Sequence, residues 1–407
     1  MAQSDRDKDF DLVLFGATGF TGRLVAETLV QKRPAIRWAL AGRSREKLER
    51  VRADLATIDG AARDLPIVLG DSHDRAAMDS IARRTRVVCT TVGPYAKYGE
   101  PLVAACAEAG IAYCDLTGET PWIRAMIDAH HDRAVQTGAR IVHCCGFDSI
   151  PSDLGVFMLH DHLAKEGDRL AEARFRVIKA SGGVSGGTIA SMMAIFENLG
   201  DPGVRRALAN PYVLDPDSSR RGPDGRDSMG PGRDADVGRW TAPFVMAGVN
   251  TRIVRRSNAL LGYAYGRDFR YDEAIDAGAG IRGLAIAVGT TAGLAGVAAV
   301  GASAPGRKLL GRFLPAPGEG PTREQRERGS FHIQIRARSA SGKTLVGEVG
   351  ARRDPGYGET AIMLSEAALS LAQDELPARS GVLTPASAMG TKLIDRLRAA
   401  GETYRVV

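Results

Sequence analysis

Between Asp11 and Glu27 the chain reads Asp11-Leu-Val-Leu-Phe-Gly16-Ala-Thr-Gly19-Phe-Thr-Gly22-Arg23-Leu-Val-Ala-Glu27. A short apolar run ends in three glycines at three-residue spacing, and a helical pattern begins at once. Glycines alone say little in a chain that holds 48 of them. Here a strand precedes them, a helix follows, and a second strand comes about twenty residues on, which is the pattern of a dinucleotide-binding βαβ unit. Each glycine has a physical task. Gly16 permits the tight strand-to-helix turn, and Gly19 lets backbone N–H groups close on a pyrophosphate. Gly22 lets the helix pack near the strand, while the helix start presents unpaired donors and a positive dipole end. Gly16, Thr18, Gly19, Phe20, Thr21 and Gly22 are therefore the first candidate cofactor-binding residues.

The next turn selects the cofactor. The first helix runs from about Thr21 to Lys32 and stops before Pro34, and the strand Ile36–Ala41 leads into Gly42-Arg43-Ser44-Arg45. A unit that binds NAD carries an Asp or Glu here for the ribose 2′-hydroxyl, whereas an arginine meets a 2′-phosphate. Arg43 stands 21 residues beyond Gly22, and Ser44 is placed both to cap the second helix and to donate to the phosphate. Charge-assisted contacts worth roughly 1.5–3 kcal/mol favour NADP(H) over NAD by about ten- to a hundredfold.

Further βα units follow. Leu65–Leu69, Arg86–Thr91, Ile111–Asp115 and Arg140–Cys145 read as strands separated by helical stretches. Six strands with alternating helices predict an α/β fold: an amino-terminal Rossmann, doubly wound parallel sheet. Its strands end in the crevice where a dinucleotide lies. Asp71 is then either an adenine contact or a helix cap, and Thr91, Gly93 and Pro94 line the path toward the nicotinamide. The five cysteines form no C-x-x-C pair and no Cys/His ligand set, so they read as free core thiols in a reducing compartment, with no metal site. Net charge is +6 without a long basic run. That suits an anionic ligand and gives no nucleic-acid recognition motif. The charged start lacks an apolar signal region, so a cytoplasmic protein is expected.

Several segments together, Gly16-Ala-Thr-Gly-Phe-Thr-Gly22, Ala41-Gly-Arg-Ser44, Val92-Gly-Pro-Tyr95, Tyr113-Cys-Asp-Leu-Thr-Gly-Glu119 and Cys145-Gly-Phe-Asp-Ser-Ile-Pro-Ser-Asp153, resemble the saccharopine dehydrogenase-like oxidoreductases. Within these the chain is most similar to the mycobacterial-type trans-acting enoyl reductases. The likeness extends through Ser181-Gly-Gly-Val-Ser-Gly-Gly-Thr188 and Asp354-Pro-Gly-Tyr-Gly-Glu-Thr360. The resemblance implies hydride transfer from NADPH to a carbon–carbon double bond of a polyketide or fatty-acyl thioester, carried by a separate synthase in lipid biosynthesis. A C–N oxidoreductase of saccharopine metabolism and a non-catalytic, lipid-associated NADP-binding protein are the competing functions.

Rossmann periodicity stops after Pro151, which divides the chain into 1–150, a second α+β domain at 151–380, and a C-terminal helix at 381–407 packing back on the first domain. Glu172–Lys179 alternates as an exposed strand of a new sheet. Ser181–Thr188 is a Gly-rich turn before a helix at Ile189–Leu199, and Pro211–Val237 reads as a loop or mobile flap. Phe331–Arg338 and Lys343–Val349 form a hairpin across Ser341-Gly342, Tyr357-Gly358 opens a helix from Thr360 to Gln373, and Ala386–Ala400 is the last helix. Gly283–Ser303 holds no charge and is long enough on paper to cross a bilayer. Twelve of its 21 residues are Gly or Ala and six are large aliphatics, which disfavours a true span. It is either buried helix or an apolar surface for membrane or acyl chain. The basic, amphipathic Pro305–Leu314 that follows tilts toward peripheral membrane contact.

Enoyl reduction needs the hydride near the β-carbon, a donor for the enolate oxygen and a proton source for the α-carbon. No Tyr-x-x-x-Lys pair stands at the expected strand end. Tyr95, Tyr98, Lys97, Asp115, Glu119, Asp148 and Ser149 reach the crevice on this reading, with Tyr95 as donor and Asp148 as the second catalytic candidate. Water also serves as an acid in such reductions, so no catalytic side chain is compulsory.

Overall fold

The computed structural model describes residues 8–182, 200–217, 219–234, 236–310 and 320–407. The first sheet starts with β1 (Phe10–Phe15), whose apolar residues are nearly all enclosed because helices cover both faces. The glycine loop turns β1 into α1 (Phe20–Lys32), after which β2 (Trp38–Gly42), α2 (Arg45–Ile58), β3 (Ile67–Leu69), α3 (Arg75–Arg84) and β4 (Thr85–Thr90) alternate. A single helical turn α4 (Tyr95–Tyr98), α5 (Glu100–Ala109), β5 (Ala112–Cys114), α6 (Thr120–Thr137) and β6 (Arg140–Val142) complete the expected six strands. They pair in parallel in the order 3-2-1-4-5-6, the doubly wound arrangement.

A seventh parallel strand, β13 (Gly381–Leu383), lies beside β6. It is too short to announce itself in sequence. The helix before it, α13 (Thr360–Gln373), packs on α1, β1, β4 and β5, although sequence assigned it to the second domain. The segment beyond 380 is likewise not one helix. It contains β13, the turn α14 (Pro385–Ala388), α15 (Thr391–Ala399) and β14 (Thr403–Val406), broken where Gly390 takes a positive φ of 51°.

The second sheet begins after α7 (Ile150–Lys165) with β7 (Leu170–Ser181) and runs in the order β14-β12-β11-β7-β10-β9-β8. Its other strands are β8 (Gly232–Asp234), β9 (Arg239–Pro243), β10 (Arg270–Ala279), β11 (Ser330–Ser339) and β12 (Thr344–Ala351). β7 is therefore a central strand, not an exposed one. Ala173, Phe175 and Val177 face the core, while on the other face Arg174, Arg176 and Arg336 surround the buried Asp234 at 3.3–3.5 Å. An alternating polar face reads as solvent until the buried partner is seen. The predicted β11–β12 hairpin is present, closed by Gly342 at φ 90°. The Gly-rich turn and helix expected at 183–199 lie outside the described residues.

Two short helices, α8 (Pro202–Ala209) and α9 (Ala247–Leu260), frame the stretch expected as a loop or flap. Apart from β8 its described residues are loop, and they are tied down. Arg252, Arg255 and Arg256 of α9 are all buried. Arg252 donates to the Leu208 carbonyl and pairs with Asp227, and Arg255 donates to the Pro211 carbonyl and to Asp224. Arg256 donates to the carbonyls of Leu214 and Val382, both at 2.6 Å. These bonds replace the secondary-structure partners that the irregular backbone lacks.

Candidate active site

All the parallel strands end on one edge, and the turns leaving them assemble the site. Gly16 sits at φ 94°, a conformation open to glycine, and its N–H donates to the Ala41 carbonyl. A Cβ on Gly22 would overlap the Gly16 carbonyl oxygen, so α1 packs closely against the turn only because that Cβ is missing. Gly19 caps α1 without any side-chain acceptor, and the first turn carries no acid. The leading N–H groups are thus left for an external anion. Thr91 donates from Oγ1 to the Gly16 carbonyl at 3.2 Å. It braces the glycine loop.

Arg43 stands exposed just beyond β2. Ser44 caps α2 by accepting from the Lys47 N–H at 3.4 Å. Asp71 follows β3 and accepts from the His73 N–H at 3.0 Å, while Asp74 performs the capping of α3. The other half of the edge lies past β4. Gly93 is exposed, and its bond to Pro94 is cis.

Tyr95 departs from expectation. Its ring is enclosed, its hydroxyl donates to the Thr90 carbonyl at 3.2 Å and accepts from the Leu116 N–H, and burial pushes its pKa well up. The reason is local: Glu119 holds the Tyr95 N–H at the start of α4, and the ring packs against Trp122. A hydroxyl so occupied cannot serve a substrate. Glu119 is equally structural, its carboxylate accepting the N–H groups of Tyr95 and Ala96. Asp115, fully buried, accepts from Tyr113, Thr117 and Cys144 and meets Nδ1 of His143 at 2.7 Å, locking the ends of β5 and β6 together. Ser149 is spent on Asn250 at 3.0 Å. Lys97 is exposed, and Tyr98 lies edge-on to His73.

Asp148 remains. It follows β6, on a loop held by Thr360, which accepts the Phe147 N–H at 3.2 Å, and by the Ser149–Asn250 bond. The side chain keeps partial exposure, yet Oδ2 is sealed and has no hydrogen-bond partner. Burial pushes the carboxyl up to about 8, and the nearby Asp115 charge adds to the rise. A carboxyl of this kind holds its proton at neutral pH. β6 lies three strands from β1, roughly 14 Å away, which leaves room for a nicotinamide between the glycine loop and Asp148.

Residues missed in sequence come from the far end of the chain. Tyr357 meets Phe20 edge to face at 4.7 Å between ring centres, and the Arg326 guanidinium covers the same Phe20 ring at 5.6 Å. Asp354 holds this approach by accepting the Tyr357 N–H at 2.8 Å. The Asp354–Thr360 run stood out in sequence as a motif but could not be assigned a neighbour. A cavity of about 500 Å³ opens beside β11, β12 and β14, lined also by Arg353 and by Glu359 of the same run.

Residues 12–142 match the family described as "Saccharopine dehydrogenase NADP binding domain". A Mycobacterium tuberculosis protein with a provisional trans-acting enoyl reductase name is 44% identical over 97% of this chain and 96% of its own. A trans-acting enoyl reductase of Mycobacterium bovis is 42% identical over 98% of each. This chain belongs to the saccharopine dehydrogenase-like oxidoreductases, close to the trans-acting enoyl reductases. The family's fold is shared by apo saccharopine dehydrogenase (L-Glu forming) from Saccharomyces cerevisiae, which aligns over 97% of this chain and 99% of its own with a TM-score of 0.52 at 14% identity. As the family domain implies, the protein is an NADP-dependent oxidoreductase. The uncapped start of α1 and the exposed Arg43 beyond β2 fit that cofactor.

Proposed function

We propose that the protein is a trans-acting enoyl reductase that uses NADPH to reduce a carbon–carbon double bond in a polyketide or fatty-acyl thioester held by a separate synthase, in complex lipid biosynthesis in the cytoplasm. The observation that carries this reading is the full-length identity to proteins of that name. The site's chemistry agrees with it. Bound NADPH supplies hydride to the β-carbon. The backbone donors of Phe20–Gly22 would hold the pyrophosphate, with Gly19 allowing the close approach; Arg43 and Ser44 would meet the 2′-phosphate, Asp71 would lie toward the adenine, and Gly93 and Pro94 would border the nicotinamide. Asp148 is the acid for the α-carbon, because it carries a proton at neutral pH and stands on the nicotinamide side of the sheet. Peripheral contact with a membrane, through the apolar run at 283–303, belongs to the same reading.

NADPH oxidation measured with a panel of long enoyl thioesters, and separately with an amino-acid semialdehyde plus glutamate, tests it. Turnover is expected in the first mixture only. Turnover in the second alone assigns C–N chemistry, and binding without turnover in either removes the enzyme role. Asp148→Asn is expected to lower kcat by about a hundredfold with NADPH affinity unchanged; full activity in that variant removes Asp148 as the acid.

A further inference from the structure

The run expected to be either buried helix or apolar surface is a single helix, α10 (Gly280–Gly301). It is long enough and apolar enough to cross a membrane, with a mean hydropathy of 1.8, yet only 11% of that stretch is buried. One narrow stripe meets the protein: Gly283 closes on the backbone of Gly278, and Ala287 packs with Ala242 and Ala277. Beyond Leu294 every residue to Val300 is exposed. Ile281, Ile286, Val288, Val297 and Val300 all face outward. With one stripe on the protein and its other faces apolar and bare, the helix calls for an apolar medium over its uncovered side.

Charge points to what that environment borders. From Ala277 to Gly318 the chain holds no acid and four bases, Arg282, Arg307, Lys308 and Arg312. Arg282 and Lys308 are exposed. The second short helix, α11 (Ala304–Leu310), turns back at once, with Arg307 donating to the Gly301 carbonyl at the end of α10. The composition of the following chain argues against a crossing. α10 leaves from β10, and β11 belongs to the same sheet. The only stretch that could return, residues 302–322 before the next helix, α12 (Arg323–Arg328), carries Arg307, Lys308, Arg312, Glu319 and four prolines, which a segment passing through hydrocarbon does not tolerate.

We infer that α10 and α11 form an in-plane anchor that seats the enzyme on an anionic phospholipid bilayer, the aliphatic side chains lying at the acyl boundary and Arg282, Arg307 and Lys308 on the headgroups. The inference rests on the membrane contact proposed above and not on the enoyl chemistry. A synthase that makes greasy products at a bilayer would find its reductase already on that surface.

Flotation of the full-length protein with vesicles of phosphatidylcholine alone, and of phosphatidylcholine containing phosphatidylglycerol, tests it. Tight binding is expected only to the phosphatidylglycerol vesicles. The exposed pair Ile286→Asp and Val297→Asp should weaken it at least tenfold with NADPH affinity unchanged, and so should Arg282→Glu with Lys308→Glu. Equal binding to both vesicles overturns the anionic selectivity while leaving membrane contact standing. No binding to either overturns the contact itself, and self-association lost in the aspartate variant without vesicle binding assigns the helix to a second copy.

Discussion

At the scale of single residues the glycine loop is where sequence and geometry agree most closely. The alanine methyl of Gly22→Ala would meet the Gly16 carbonyl, so α1 must retreat from the strand. We expect about 1–3 kcal/mol of lost stability together with weakened NADPH binding, read by urea unfolding and by fluorescence titration. Arg43→Ala should weaken NADPH about ten- to a hundredfold and leave NADH nearly unchanged; equal losses would show that Arg43 does not read the 2′-phosphate. Asp148 adds a pH signature. Its folded pKa is about 8, so the protonated, active form is full below that value. The rate of the chemical step should fall about tenfold per pH unit above it. A flat profile to pH 10 removes the acid role. Tyr95 teaches the opposite lesson. Its type and place suit a donor, but its hydroxyl is consumed by Thr90 and Leu116, a fact that depends on how a turn packs and not on what it contains.

Among elements, α9 is the one that sequence gave least reason to notice. Its three buried arginines hold the irregular stretch 208–227 by backbone carbonyls and aspartates. Burial, with the like charge of Arg124 adding to it and Asp215 opposing it, lowers Arg256 to about 9, which still leaves it charged at neutral pH. Arg256→Ala should cost about 2–4 kcal/mol, since it opens a cavity and orphans the carbonyls of Leu214 and Val382. Because Val382 belongs to β13, the same change should raise hydrogen exchange at the outer edge of the parallel sheet. Exchange confined to 208–227 would show that the tie to β13 is unimportant. An arginine in a helix reads as a solvated face, and only the carbonyls facing these three show otherwise.

The whole molecule is knit by its carboxyl-terminal segment, which gives β13 to one sheet and β14 to the other. Its stability also carries a pH sign. Burial raises Asp153 and Glu273 to about 7, against roughly 4 in an unfolded chain. The folded state therefore binds protons that the unfolded state releases. The contribution is full below pH 4 or so and is lost as pH rises through 7. The melting temperature should accordingly fall between about pH 5 and 7 and level off above, and Asp153→Asn should flatten that fall. Asp153 accepts from Ser257 and from the Ala386 N–H at 2.8 Å, so this one carboxyl ties α7, α9 and α14. Removal of residues 381–407 should prevent folding of both sheets, even though the six strands of the dinucleotide unit are all upstream; a soluble, NADPH-binding fragment would show that unit to be independent.

Sequence by itself determined the strand–glycine–helix turn, the six alternating units, the arginine after β2 and the β11–β12 hairpin. Each of these is settled by residues a few positions apart, through backbone sterics, local hydrogen bonds and the period of burial. Tertiary structure alone decided that β7 is central, that β13 extends the parallel sheet, that Tyr95 is sealed and that α10 lies bare. It also decided that burial raises the Asp148 carboxyl. Those outcomes depend on which distant chain segment removes water from a given side chain, and neither spacing nor composition specifies that.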